Sequence, residues 1–194
     1  MMLLMSRSDA PYHHGNLGPV LEAAGMELLA QKSHASMSLR ELAREAGVSH
    51  NAPYHHFGDK AGLFKRLGEV SMQHLVHAVS SADAPGAAPQ ERALALTVAY
   101  VEFAVEHPHA FTLIYDPEVC IPGAPSATMA PLIQELEGLL GNAAAGLDPE
   151  ASPARIEARA TALWATVQGL SHLVIAGHLT LAQVQPALAE SLRR

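Results

Sequence analysis

Five hydrogen-bonding side chains crowd into one short segment: Ser49, His50, Asn51, Tyr54 and His55, interrupted only by Ala52 and Pro53. Asn51 and His50 suit the donor and acceptor edges of a planar base, while Tyr54 and His55 suit a phosphate oxygen or a methyl group. Several of these are poor helix formers, so a helix chosen for stability alone would not carry this set. Shortly after, Lys60 opens a further helical stretch, where a cation opposes the positive end of the helix dipole. A phosphate held by Lys60 and the free N–H groups of that first turn would reverse the penalty. Ser38, at the head of the preceding helical segment, is placed to hydrogen-bond a phosphate too. The chemistry these residues suit is recognition of an anionic, base-bearing partner, not bond making.

The elements that must hold them are legible in the pattern. Ser38-Leu39-Arg40-Glu41 reads as a capping box, in which Ser38 and Glu41 satisfy each other's backbone donors. Leu39, Leu42, Ala43 and Ala46 give this short helix its buried face, and Gly47 follows as a left-handed stop. Val48 packs, and Ser49 caps a second short helix running to about His55. Pro53 stiffens that helix at the cost of one backbone bond. Two short helices joined through a glycine turn predict a helix-turn-helix, whose second helix enters the major groove while the first crosses the backbone. Upstream, a helix fits residues 16–32, capped by Asn16, with Leu17, Val20, Leu21, Ala24 and Leu28 on one face and Pro19 in its first turn. Downstream, Phe57-Gly58-Asp59 ends one helix and caps the next, which runs from Lys60 to about Ala82 with Leu63, Phe64, Leu67, Val70 and Leu75 inward. Residues 1–11 read as a disordered arm.

Three blocks carry a family resemblance: Tyr12-His13-His14-Gly15-Asn16-Leu17, then Ser38 through Ser49, then Ala52-Pro53-Tyr54-His55-His56-Phe57 with Asp59-Lys60. Their types and separations resemble the DNA-binding domain of the tetracycline-repressor (TetR) family over about residues 12–75. The resemblance implies a homodimeric repressor with one recognition helix per subunit, binding a palindromic double-stranded operator. It gives Ser38, Ser49, His50, Asn51, Tyr54, His55 and Lys60 their DNA-facing roles. Gly18 and His55 depart from the pattern, which favours basic residues at both positions. Their loss implies DNA affinity that is weaker or more dependent on pH.

Composition agrees with a helical chain. Of 194 residues, 49% are hydrophobic, and strand-like alternation and β-branched runs are sparse. The fold class expected is all-α: an N-terminal three-helix helix-turn-helix domain followed by a helical ligand-binding and dimerisation domain. The division expected is an arm over 1–11, a DNA-binding domain over 12–58, a connecting helix over 59–82 and a second domain over 83–194. The net charge of −7 is unevenly spread. Residues 1–80 hold seven basic and seven acidic side chains, and residues 81–194 hold five and twelve. The acidity therefore belongs to the second domain, and the first is neutral, a weak electrostatic footprint for DNA. The single cysteine, Cys120, allows no internal disulfide and is compatible with the cytoplasm. The opening Met1-Met2-Leu3-Leu4-Met5 is too short for a signal peptide.

Nine of the thirteen prolines lie between residues 85 and 153, marking breaks between helices. Helices are expected near 89–106, 108–115, 126–145, 152–176 and 180–192, with a loop over Asp116–Pro125. No Asp, Glu, Lys or Arg occurs from Ala160 to Ala189. Gln168, Ser171, His172, His178 and the Gly177 break argue for burial in a bundle or dimer rather than in a membrane. Trp164 through Gly169-Leu170 and on to Gly177-His178-Leu179 resembles the Trp-x-x-x-His-Gly signature of one TetR subgroup, with Gln168 at the signature's histidine position. Ala158, Ala162, Ala165 and Gly169 form a small-residue stripe, which suits either a four-helix dimer interface or packing within one subunit. Phe103, His107, Phe111, Tyr115, Met129, Trp164, Gln168 and His172 are candidates for the wall of a pocket taking a small aromatic or amphipathic effector. They read equally as core residues.

Twelve histidines raise metal binding as the competing class, through His13-His14, His55-His56 and His107-x-His109. A metal needs three or four converging ligands, and adjacent histidines on a helix point about 100° apart. There is no His-Glu-x-x-His and no cysteine pair, so neither metal nor cofactor is expected. No glycine-rich phosphate loop, Gly-x-Ser-x-Gly or nucleophile–base pair near Cys120 suggests an enzyme. A regulator without a small-molecule ligand is the remaining alternative. Release from DNA by ligand is what the resemblance implies.

Overall fold

The computed structural model describes residues 17–193. The expected arm over residues 1–11 and the Asn16 cap lie outside the described residues. The chain runs through α1 (Leu17–Gln31), a short 3-10 turn (His34–Ser36), α2 (Leu39–Glu45), α3 (Ala52–Phe57) and α4 (Lys60–Ser81). It continues through α5 (Pro89–Glu106), α6 (Pro108–Ile114), α7 (Met129–Leu147), α8 (Pro153–Ile175) and α9 (Leu181–Ser191). The described residues contain no strand, so the fold is all-α. Proline marks helix starts: Pro53, Pro89, Pro108 and Pro153 sit at the first or second position of α3, α5, α6 and α8, where the missing N–H has no intrahelical acceptor to lose.

Two apolar clusters organise the helices. The first gathers Leu21, Leu28 and Leu29 of α1, Leu39 and Leu42 of α2, and Leu63, Phe64 and Leu67 of α4, closed by Ala110 and Leu113 of α6. The second joins the far half of α4 to α5, α7, α8 and α9. Helix α5 is its centre and packs against α4, α6, α7, α8 and α9. It buries Ala93, Leu96, Tyr100, Val101, Phe103 and Ala104, on more than one of its sides.

Some inward assignments shift. Val20 is 38% exposed, and Gly25 and Leu29 are buried instead. A Cβ at Gly25 would meet a Leu67 methyl at 2.8 Å, so glycine lets α1 approach α4 closely. On α4, Val70 is only half-buried, whereas Glu69 and Ser71 are buried. The charge-free stretch 160–189 is split by Gly177 (φ +76°) into α8 and α9. No helix among the described residues is long and apolar enough to cross a membrane.

Candidate nucleic-acid interface and internal cavity

Helix α2 begins as its sequence demands: the Ser38 hydroxyl accepts from the Glu41 backbone N–H at 3.2 Å. The reciprocal half of the expected capping box does not form. Lys32 and, at 3.7 Å, Arg44 take the Glu41 carboxylate, and a charged donor outcompetes a neutral amide. The Lys32 hydrogen bond holds Glu41 below the usual carboxylate range. A full box closes α9 instead, where Gln183 Oε1 accepts from the Thr180 N–H at 2.9 Å.

The turn after α2 is built on Gly47, at φ +65°. Its N–H and that of Val48 return to the carbonyls of Arg44 and Ala43, at 3.2 and 3.0 Å. This wrap satisfies the last carbonyls of α2 and aims the chain into α3. Helix α3 starts later than its sequence suggested, because a turn (Ala52 N–H to Ser49 carbonyl, 3.0 Å) intervenes and Asn51, not Ser49, occupies the N-cap. Pro53 consequently falls in the first turn of α3 and costs no helical hydrogen bond. Ala52 and Pro53 face the core, leaving His50, Asn51, Tyr54 and His55 outside with Ser49. Ser38 and Lys60 are exposed as well, so all seven candidate DNA-facing side chains are solvent-accessible; Tyr54, an aromatic, is 46% exposed.

The joint from α3 to α4 is tight. Asp59 caps α4 by accepting from the Gly62 N–H at 2.8 Å. A Cβ on Gly62 would lie 2.1 Å from the Phe57 carbonyl oxygen, so only glycine permits this approach. Lys60 donates to the Ala35 carbonyl at 3.0 Å, and its ammonium sits 5.1 Å from the centre of the Phe64 ring. These two contacts offset the helix-dipole penalty that its position incurs, and an ammonium has donors left for a phosphate. Gly18 also has a reason. A Cβ there would meet the His56 ring at 3.0 Å, so a long basic residue would have to push that imidazole aside.

A cavity of about 570 Å³ opens between α4, α6, α7 and α8. Met72, Ile133, Leu136 and Leu140 give it apolar walls. Of the eight candidate pocket residues, Tyr115, Met129 and Trp164 border it; the other five do not. Phe103 and Phe111 are buried in the core because α5 and α6 turn these faces inward; Phe111 meets Tyr100 edge-on at 5.8 Å. His107 is exposed at the α5–α6 joint, and His172 is exposed with its Nδ1 2.9 Å from the Gln168 carbonyl. Gln168 is half-buried behind the wall, where its Oε1 accepts from the Tyr100 hydroxyl at 3.1 Å. With that proton committed, the Tyr115 hydroxyl must be the donor in its 2.6 Å contact with Tyr100. Burial raises both phenol pKa values, so both stay neutral donors and acceptors. Burial raises the Cys120 thiol too.

Comparison with known proteins decides the family. The model described as "Tetracyclin repressor-like, C-terminal domain" matches residues 93–194, and "Bacterial regulatory proteins, tetR family" matches residues 21–67. The chain belongs to the TetR family of transcriptional regulators. A protein of unknown function from Rhodococcus sp. RHA1 is 30% identical, with a TM-score of 0.78 over 95% of this chain and 97% of that one. A TetR-family regulator from Streptomyces coelicolor shares the fold at 18% identity and TM-score 0.73, covering 93% of this chain and 80% of that one. A TetR-like regulator from Rhodococcus sp. RHA1 does so at 17% and 0.68, covering 94% and 96%. The helix-turn-helix is thus that of a DNA-binding regulator, and the family is not one of enzymes.

In this TetR-family chain two polar links, not anticipated from the sequence, tie the helix-turn-helix to the cavity region. Arg66 of α4 grips Glu22 of α1 with two hydrogen bonds, at 2.8 and 3.0 Å, and reaches Glu69 at 3.4 Å. These carboxylates, Glu22 foremost, raise its pKa further. Glu69 is buried and also accepts from Ser126, at 2.8 Å, and from Thr128, just before Met129 of the cavity wall. The second link is His34 to Asp116, at 3.0 Å. The one available signal was Glu69 itself, an acid on a face otherwise apolar, three residues after an arginine. Among the described residues, no three His, Cys, Asp or Glu side chains gather as a metal would need.

Proposed function

We propose that this regulator is a cytoplasmic repressor that binds a palindromic operator as a homodimer and is released when a small molecule fills the cavity. The observation that carries the reading is the path of α4. Its first turn abuts the end of α3, where Gly62 admits the Phe57 carbonyl, and Met72, about 20 Å along the same helix, forms part of the cavity wall. A ligand that displaces Met72 or α7 therefore acts on the helix that aims α3.

Two such α3 helices must match successive major grooves about 34–36 Å apart. Coupling of about 3 kcal/mol between ligand and dimer geometry would weaken operator binding roughly 150-fold. The dimer surface we assign to α8 and α9. Ala158, Ala162, Ala165, Gly169 and Leu173 leave an exposed apolar strip on α8, continued by exposed Leu181 of α9. The cavity-lining residues Glu157, Thr161 and Trp164 lie one position away, about 100° around the helix. One helix thus presents one side to the ligand and the next to the partner copy.

The test is a mobility shift of the full chain against the DNA upstream of its own coding region, with Tyr54→Ala and Lys60→Ala as controls. Specific binding at moderate salt that both substitutions abolish supports the reading. Binding that survives in both, or none at any salt, overturns it.

A further inference from the structure

We infer that the cavity selects an organic cation: a molecule with an apolar body and one positively charged end. This rests on the reading of the cavity as the effector site. Among the described residues, the only formally charged side chains on its wall are two carboxylates, Glu137 of α7 and Glu157 of α8, and no Lys, Arg or His lines it. Both are exposed and so stand at the mouth. Among the described residues neither is in an ion pair, whereas Glu22, Glu69, Asp83 and Asp148 each hold an arginine.

The basic residues nearest in sequence do not compensate Glu157. Arg155 turns to Asp148, at 3.5 Å, and Arg159 lines a separate small pocket with Leu147 and Leu163. Residues two apart on a helix point about 200° away from each other, which keeps both guanidinium groups off the cavity side. The acidic excess of residues 81–194, twelve acids against five bases, adds a field of the same sign.

An anionic amphiphile would have to bring its charge to two uncompensated carboxylates with no cationic donor to receive it, which selects against it. A cation meets the opposite situation. Its charge pairs with Glu137 and Glu157, and the half-exposed Trp164 ring and the Tyr115 ring offer aromatic faces on the same wall. Its apolar body fills the space between Met72, Ile133, Leu136 and Leu140. A volume of about 570 Å³ lies within the range of roughly 300–1,000 Å³ that small-molecule sites occupy.

Trp164 is the sole tryptophan of the chain, so its fluorescence reports occupancy without a label. The full-length protein is titrated below micellar concentrations with three probes of one chain length: decyltrimethylammonium, decanol and decanoate. Calorimetry is run beside the fluorescence. The cation is expected to bind at least tenfold more tightly than decanol, and decanoate more weakly than either. In a Glu137→Gln/Glu157→Gln double variant the cation-to-decanol affinity ratio falls to about one, and Glu157→Lys shifts preference toward decanoate. Decanoate binding as tightly as the cation, or a preference that persists in the double variant, overturns the inference and leaves the cavity as an effector site. Silence from all three probes in both measurements overturns that site as well.

Discussion

The imidazole Nε2 of His34 lies 3.0 Å from the Asp116 carboxylate, joining the turn before α2 to the end of α6 across 82 positions of sequence. Both side chains are mostly shielded from water, at 12% and 24% exposure. A contact of this kind contributes about 1 kcal/mol. Asp116→Ala is therefore expected to lower the melting temperature by about 2–4 °C in a chain of this size, read by circular dichroism. An unchanged melting temperature would show that the contact does not hold the two regions together.

Gly62 carries a sharper prediction. Its missing Cβ is what admits the Phe57 carbonyl, and a methyl group at 2.1 Å from that oxygen cannot be accommodated without moving backbone. Gly62→Ala is expected to retain the helical far-ultraviolet spectrum while losing at least tenfold in operator affinity, because α3 is re-aimed against α4. Wild-type affinity in this variant would mean that the α3–α4 angle does not matter for binding.

Much of this region was legible beforehand, and the failures share a cause. Gly47, the Ser38 cap and the proline-marked starts of α5, α6 and α8 are dictated by local backbone chemistry, and the chain obeys them. The start of α3 and the second half of the Ser38–Glu41 box were misread because neighbours outside the window competed: Lys32 for the carboxylate, and a turn at Ser49 for the helix start. The cavity wall was the least legible. Aromatic residues on α5 and α6 resemble a pocket lining in any listing of residue types. Only the three-dimensional positions of α5, enclosed by five helices, and of α6, packed on α4 and α5, send Phe103 and Phe111 into the core. Nothing in the local sequence distinguishes the carboxylates Glu137 and Glu157 from other acids on exposed helix faces.

Glu69 should be the most sensitive polar residue. Its side chain is 8% exposed and serves Arg66, Ser126 and Thr128 together. Glu69→Ala leaves two hydroxyls short of an acceptor and Arg66 with Glu22 alone, at a cost of about 3 kcal/mol summed over the three bonds lost. Ser126→Ala removes one bond to Glu69 together with the hydroxyl's contacts to Thr128 and the Met129 N–H, and should cost about 1–2 kcal/mol. Urea unfolding gives both numbers. Equal, small losses would indicate that water replaces the carboxylate without penalty.

Alkaline pH probes the phenol pair. In the folded chain Tyr100 and Tyr115 resist ionisation, chiefly through burial, whereas an unfolded tyrosine loses its proton near pH ~10. Below that value both states hold the proton and this source of stability is intact. Above it the unfolded chain releases protons that the folded chain retains, so stability falls as pH rises. Unfolding midpoints between pH 9 and pH 11 should therefore decline, and decline less steeply in Tyr100→Phe. Identical slopes would remove the pair as the cause.

The first apolar cluster is closed by Ala110 and Leu113, which belong to a helix made well after the DNA-reading segment. On the ribosome, α1 to α4 emerge first, yet part of what covers Leu21, Leu28 and Leu67 is not yet synthesised. The nascent headpiece must wait for α6 before its interior is sealed, and until then it presents oily surface to chaperones. The same debt makes the headpiece a poor candidate for excision: a fragment ending after α4 would carry the reading surface on a bundle missing one wall.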